Sequence, residues 1–448
     1  MRLSLNTAAL RSRFLQDGLH RSSTLLIAAQ GINAVAAFLF WLLCARLFPA
    51  SQVGLATAFI SFGLLVATFT HLGLPTTVLR FLPTSKHRGG LFSAAVLLVT
   101  LASATGGLLA LLAIGHLAPR LGFVQHSLAL SLMLVAVVVG SALGGLLDGV
   151  LASLRASKYV LGKAVLTNVP RIVLPFAVAT LGMQGMAGVY SGMLLLGVLY
   201  SLVVIVRRFI GRGNLQPRFI ELRRHRNFAA ANYFGSMFGI LPGTLTPLIV
   251  LQILGPAQAA FFYMPMQLAV FLGIIASSTC QALLAEVAQT EDADAHRRQV
   301  VGAAKHLYQL LLPAAIGLCV FGWGILRVYG AAYAAHGLQP LFILCAASLF
   351  VAMNWIGDTW LNIQKKPLAY FLMNAFNAAA VVGSVYILAG HGLVGVALGW
   401  LLGQVVSAGV YVVLFARDQL AAVVLPARVL RKTAYVLRAI FSHAKESA

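Results

Sequence analysis

The chain has 448 residues, 60% of them hydrophobic and only 9% charged, and carries a formal net charge of +22. A soluble domain has about 25% charged residues, so this composition excludes one and points to a membrane protein. Nucleic-acid binding, the usual meaning of so positive a chain, is excluded too, because the bases alternate with long apolar runs and gather on no single patch.

Residues 1–22, with "LRSRFLQDGLHR", read as a basic amphipathic cytoplasmic tail. The apolar run from about Leu25 is long enough to stay in the membrane, and no cleavable signal peptide is evident. A span needs roughly 20 apolar residues. Twelve are expected, at about 23–45, 53–81, 89–117, 124–152, 160–182, 185–206, 227–254, 258–285, 303–329, 338–362, 367–390 and 392–416. The fold class is therefore an all-α integral membrane protein of twelve transmembrane helices. Helices one to six fill residues 23–206 and helices seven to twelve residues 227–416. Between them lies a basic cytoplasmic linker, 207–226, within "RRFIGRGNLQPRFIELRRHRN". Residues 417–448 interleave Val429, Leu430, Val436, Leu437, Ile440 and Phe441 with bases, as expected of an amphipathic helix on the anionic inner leaflet.

Lysine and arginine set the orientation. All of them except Arg46, Arg120, Arg171 and Arg327 fall in the two tails or the even-numbered connections, Arg80, Arg155 and Lys163 included. Both termini are expected in the cytoplasm. The outer connections "LGMQGM", "GPAQ" and "GHG" leave no room for an outer domain. Gln184→Cys and Ala257→Cys should react with an impermeant thiol reagent from outside, and Gly213→Cys only from inside. Labelling of position 213 from outside would overturn this topology.

An even number of spans per half puts both halves in the same orientation and makes them parallel repeats, as in transporters that rock around a central site. A faint echo supports this: "RLFPASQVGLATA" after span one resembles "QILGPAQAAFFYM" after span seven. The cysteines, Cys44, Cys280, Cys319 and Cys345, lie in apolar runs without a CxxC and read as small buried hydrophobes.

Polar residues inside the spans are the candidate machinery. In "VLTNVPRIVLPFAV", Arg171 falls near the middle of span five, roughly 16 Å from either end, too deep to snorkel. Thr167, Asn168 and Arg171 share a face, while Pro170 and Pro175 free backbone carbonyls. Burying a charge there costs about 2.5–3.5 kcal/mol on insertion scales. Either a cavity anion gripped by the guanidinium offsets that cost, or the freed carbonyls and Asn168 hold the arginine as structural glue. Gln30 and Asn33 share a face of span one. Thr68 and His71 share one of span two, before a helix break at Gly73 and Pro75. Asn232, Tyr233 and Ser236 mark span seven, and Gln267 span eight. Neutral amides and hydroxyls suit sugar hydroxyls, or simply join helices. Asn354, Asp358 and Asn362 line span ten, with Asn374 and Asn377 on span eleven. Asp358 is expected to bridge to Lys365 or Lys366, and Asp148 to Arg155 or Arg80. "GSALG", Gly140 to Gly144, reads as a helix-packing face. Glu291, Asp292 and Asp294 read as a solvated helix start.

The stretch "ARLFPASQVGLATAFISFGLLVATFTHLGLPTTVLRFLP" resembles the first two helices of the polysaccharide transporter family, the Wzx-like oligosaccharide flippases of the MOP exporter superfamily. Ala45-Arg46, Gly54, Leu72-Gly73-Leu74 and Arg80 carry the likeness, with "LLAEVAQ" and "NIQKKPLAYFLMNAFNA" in the second half. It covers residues from about 20 to 415. The resemblance implies two six-helix bundles forming a V around a central cavity, with helices one, two, seven and eight facing it. It implies a bacterial inner-membrane flippase for an undecaprenyl-pyrophosphate-linked oligosaccharide of O-antigen or exopolysaccharide synthesis. On that basis Arg171, Asn168, Gln30, Asn33, His71, Arg80, Asn232 and Gln267 are the expected substrate contacts. No cofactor is expected, and polysaccharide polymerase or chain-length proteins are conceivable partners. Lipid II flippases carry a base where this chain has Phe40. Cation-coupled multidrug (MATE) exporters rely on intramembrane acids, whereas Asp148, Glu286 and Asp358 lie towards cytoplasmic ends. A polymerase or ligase is the enzymatic alternative. It lacks support because no paired carboxylates, HExxH, P-loop or nucleophile elbow appears in any connection.

Overall fold

Long apolar segments without water must satisfy every backbone N–H and C=O internally, and this chain does so with helices throughout. The computed structural model describes residues 7–211, 215–287 and 293–416, and all regular structure there is helical. The helices are α1 (Thr7–Leu47), α2 (Ala50–Thr70), α3 (Leu74–Phe81), α4 (Arg88–Leu117), α5 (Leu128–Ser153), α6 (Ser157–Ala177), α7 (Gly182–Ile205) and α8 (Phe219–Arg223). They continue with α9 (Arg226–Leu254), α10 (Pro256–Val287), α11 (Ala293–Tyr329), α12 (Ala331–Ile363), α13 (Pro367–Leu388) and α14 (Gly392–Ala416). Eleven stretches of the described residues are long and apolar enough to cross a membrane. The last, Pro367–Leu414, holds both α13 and α14, separated by the turn Ala389–His391, so twelve helices meet the requirement.

Three differences from the expected boundaries stand out in the first half of the chain. Helix α1 starts at Thr7, so residues placed in the N-terminal tail continue the first span as one helix. The expected second span divides into α2 and α3 at His71–Gly73. Helix α6 ends at Ala177, five residues early, because a 3-10 turn, Ala179–Leu181, and Gly182 at φ 55° re-aim the chain into α7. The expected C-terminal tail, Glu291 and Asp292 lie outside the described residues.

The chain divides into two compact units. One runs to Met264 and takes in Gly324–Gly337 and Ala389–Leu393. The other holds Pro265–Trp323, Leu338–Leu388 and the residues from Val394. In the first, α1 packs on α6, α5 lies between α4 and α7, and α2 rests on α5 and α9. Its core includes Val78, Val99, Val138, Leu146 and Leu147, all fully buried. The two echoing stretches meet here: Gly54 lies so close to the Pro256 carbonyl that a side chain would collide with it. In the second, the Tyr308 hydroxyl donates to the Leu349 carbonyl at 2.9 Å, tying α11 to α12.

Two of the arginines expected on the outer side have local work. Arg46, ending α1, donates from Nε to the Val328 carbonyl at 2.6 Å and from Nη2 to the Arg327 carbonyl at 3.2 Å. Arg120 donates from Nη1 to the Leu251 carbonyl at 2.9 Å. Both reach carbonyls in the last turn of a helix, where cations suit the helix dipole; the Val328 and Arg327 carbonyls that Arg46 meets end α11, while the Leu251 carbonyl also accepts from the Gly255 N–H.

The α2–α3 break has a specific cause. Leu72 and Gly73 both take left-handed backbone, at φ 56° and 66°. A Cβ on Gly73 would collide with the Ala229 carbonyl of α9. The Thr77 hydroxyl donates to the Gly73 carbonyl at 2.8 Å and so secures the start of α3. Across the break, the Tyr233 hydroxyl donates to the Phe69 carbonyl at 2.9 Å. Gly73→Ala should cost about 1–2 kcal/mol for left-handed backbone alone, before α9 is displaced. In a thermal-shift measurement it should lower the unfolding midpoint. Gly31→Ala, whose Cβ meets nothing within 4 Å, should leave the midpoint unchanged or raise it.

Candidate functional site

Helix α6 carries Lys163, Thr167, Asn168 and Arg171, which recur close to the helical period and share a face. Opposite that face, α5 offers Gly140, Ser141, Gly144, Gly145 and Asp148. With Asn33 of α1 and Tyr190 of α7, these residues line a half-open cavity of about 320 Å3 in the first unit. The room comes from missing side chains. Gly140 packs against Leu194 of α7, as expected of a packing face, but a Cβ on Gly144 would meet nothing within 4 Å. The small-residue face thus does two jobs, one in packing and one in the cavity.

Arg171 lies six residues from the end of α6, about 9 Å, and fourteen from its start, about 21 Å. The expected mid-helix position is therefore corrected: the shortened helix moves the arginine towards the end that the charge bias assigns to the outside. Its guanidinium carbon sits 4.6 Å from the ring centroids of both Phe40 and Tyr190. A cation between two aromatic faces is attracted by both ring quadrupoles, by about 0.5–1 kcal/mol at exposed sites and more when desolvated. Its Nε is buried and has no hydrogen-bond partner among the described residues. The carbonyls of Leu166 and Arg171 lose their helical partners to Pro170 and Pro175. Neither receives the guanidinium, so the expectation that freed carbonyls hold it is replaced by the aromatic clamp.

Asn168, buried, donates from one amide nitrogen to Asn33 Oδ1 at 2.7 Å and to the Ala164 carbonyl at 2.8 Å. The Thr167 hydroxyl donates to the Lys163 carbonyl at 2.9 Å. The Lys163 ammonium donates to Asp148 Oδ1, forming an ion pair in the cavity wall with the lysine side chain 17% and the aspartate 49% exposed. Two expectations are corrected here. Lys163, expected in a basic connection, lies within α6 and lines the cavity, and Asp148 pairs with it rather than with Arg155 or Arg80. The place of Lys163 was open to detection, since it stands eight residues before Arg171 on the same helix face, but its pairing with Asp148 of α5 was not. Tyr190 gave no signal, because only the packing of α7 on α6 brings it to the guanidinium.

Of the expected substrate contacts, the structure brings Arg171, Asn168 and Asn33 together. Gln30 is exposed on α1 and does not line the cavity. His71 sits at the helix break and reaches towards Gly145 of the cavity wall from outside it. Arg80 is exposed at the end of α3, its guanidinium 4.8 Å from the Phe228 ring. The side chain of Asn232 lies outside the described residues, and Gln267 belongs to the second unit.

That unit has its own polar cluster. Asp358 Oδ1 accepts from Asn374 Nδ2 at 2.9 Å and from the Tyr411 hydroxyl. Gln404 Oε1 accepts from Asn354 at 2.7 Å and from Asn377 at 3.2 Å. Asp358 thus bridges α12 to α13 and α14, and not to Lys365 or Lys366 as expected. Asn362, two turns from Asn354, is exposed.

A family profile described as "Polysaccharide biosynthesis protein" matches residues 19–285. No curated protein matches the chain. Among solved structures, it is similar to an inward-facing multidrug resistance MATE family transporter of the MOP superfamily, at 15% identity and a TM-score of 0.70, covering 89% of this chain and 98% of that one. An outward-facing structure of such a transporter gives 15% identity and a TM-score of 0.60, over 91% and 96%. A MOP superfamily transporter from Pyrococcus furiosus, reported with a binding pocket of reverse polarity suggesting a different function, gives 16% identity and a TM-score of 0.60, over 91% and 96%. These likenesses show the fold.

Proposed function

Because the chain belongs to the polysaccharide biosynthesis protein family, we propose that it is an inner-membrane flippase. It moves an undecaprenyl-pyrophosphate-linked oligosaccharide from the cytoplasmic to the periplasmic leaflet by alternating access, with both termini in the cytoplasm. The observation that carries this reading is Arg171. Its guanidinium is clamped between Phe40 and Tyr190 at a cavity wall, with Nε lacking a partner. The rings hold the cation without consuming its hydrogen-bond donors. The planar fork therefore stays available for a diphosphate, which it can grip bidentately. Asn33, Asn168 and Thr167 supply amides and a hydroxyl beside it, suited to the first sugar or to phosphate oxygens. Charge favours an anion as well: Lys163 and Arg171 outnumber Asp148, the one acid in the lining.

A cation-coupled small-molecule exporter is the second reading, favoured by the fold shared with the MATE transporters. Against it, Asp148 is already paired with Lys163. Deleting the protein and measuring lipid-linked sugars on each leaflet tests both. Accumulation of complete units on the inner leaflet is the expected result. Unchanged lipid-linked sugars with greater sensitivity to toxic cations would favour the exporter. Accumulation on the outer leaflet would point to a polymerase or ligase.

A further inference from the structure

We infer that the first unit holds a second anion site, apart from the Arg171 cavity, that takes a phosphate group. It is a recess of about 500 Å3 whose lining includes Lys86, His87, Arg88, Phe209, Ile210 and Arg218, and none of its lining residues is acidic. The bases come from two stretches more than a hundred residues apart in sequence. The bias of basic residues towards inner connections explains their number. It does not explain why they converge on one hollow, where like charges repel.

The convergence is built in. The Arg218 backbone N–H donates to the Gly90 carbonyl at 3.0 Å. The arginine stem then lies across Gly90, where a Cβ would stand 2.7 Å from Arg218 Cγ. Leu222 is buried and Leu215 partly so, both against the hydrophobic core of the unit, which anchors this part of the linker on either side of Arg218. From the other wall, Arg88 Nη2 donates to the Pro83 carbonyl at 2.6 Å. Helix α4 starts at Arg88 with no acidic residue in its first turn, so its dipole adds to the positive potential. A phosphate offsets this accumulated charge and can accept from both guanidinium groups. Phe209 and Ile210 add apolar surface beside the bases, as a lipid phosphate with its chains alongside would need. Free phosphate shares the same recognition chemistry. The site does not depend on what the Arg171 cavity carries.

The test uses the full chain purified in detergent, with native mass spectrometry against phosphatidylglycerol and phosphatidylcholine and a thermal-shift titration with inorganic phosphate. Phosphatidylglycerol should bind at least about tenfold more tightly than phosphatidylcholine, and the double variant Arg88→Gln/Arg218→Gln should lose that preference. Gly90→Ala, which displaces the Arg218 stem without changing charge, should lose it too. Lys365→Gln/Lys366→Gln, which removes the same charge elsewhere, should keep it. Stabilisation by inorganic phosphate that Arg88→Gln/Arg218→Gln abolishes, without lipid preference, would support the site with free phosphate as its ligand. Equal loss in the two double variants would reduce the effect to diffuse electrostatics and overturn the site. So would binding of neither ligand by the unaltered chain.

Discussion

Arg171→Ala is expected to abolish transport while the protein remains in the membrane at its normal level. Insertion should not suffer, because a charge at membrane depth costs about 2.5–3.5 kcal/mol on insertion scales and alanine removes that cost. Transport should suffer severely. A bidentate pair between guanidinium and diphosphate combines two charge-assisted hydrogen bonds, each worth about 1.5–3 kcal/mol, so losing it amounts to about a hundredfold or more. Arg171→Lys keeps the charge but not the fork, and should leave reduced transport. Tyr190→Leu and Phe40→Leu remove one face of the clamp. The guanidinium then gains freedom, and each variant should fall between Lys and the unaltered chain. The readout is lipid-linked sugar on each leaflet, set against protein quantified in isolated membranes. Normal transport by Arg171→Ala would make the residue structural. Disappearance of that variant from the membrane would mean that the clamp holds α1, α6 and α7 together.

Phe40 illustrates how far the sequence could be read. At the sequence level it marked only a missing base, a departure from lipid II flippases. In the structure it is fully buried and forms one jaw of the Arg171 clamp. Hydropathy and charge alternation recovered the twelve helices, because a membrane span announces itself by length alone. The α2–α3 break was legible in Gly73 and Pro75, residues with known backbone habits. Helix depth was less so: α6 ends at Ala177 because of a 3-10 turn that no composition signal marks, and this misplaced Arg171 by about one and a half turns relative to the nearer end. Partnerships were least legible. Periodicity says which residues share a face, and it joined Asn168 to Arg171 correctly. It cannot say what stands opposite, so Asn33, Tyr190 and the Lys163–Asp148 pair emerge only when α1, α5 and α7 are packed around α6. Asp358 went the same way, since its proper partner Tyr411 lies far along the chain and carries no charge to draw notice.

The Lys163–Asp148 pair should tune anion affinity in a fixed order. With both present, the charges lining the cavity sum to +1, counting Lys163 and Arg171 against Asp148. Lys163→Ala lowers that sum to zero and leaves a carboxylate uncompensated where a diphosphate must bind. Asp148→Ala raises it to +2, and the double variant returns it to +1. At an effective dielectric near 20, one charge acting across roughly 6–12 Å is worth about 1–3 kcal/mol, or about ten- to a hundredfold in affinity. Binding of a short-chain prenyl diphosphate to the purified chain should therefore be tightest in Asp148→Ala and weakest in Lys163→Ala, with the double variant close to the unaltered protein. Transport need not follow the same order, since a cavity at +2 should release its anion slowly, and Asp148→Ala is expected to bind better yet turn over less. High salt should narrow the differences, because the aspartate side chain is half-exposed and its field is partly screened. If instead the double variant binds as poorly as Lys163→Ala, the lysine acts through direct contact with the ligand and not through the charge balance. If all four bind alike, the diphosphate does not enter this cavity, and the role assigned to Arg171 falls with it.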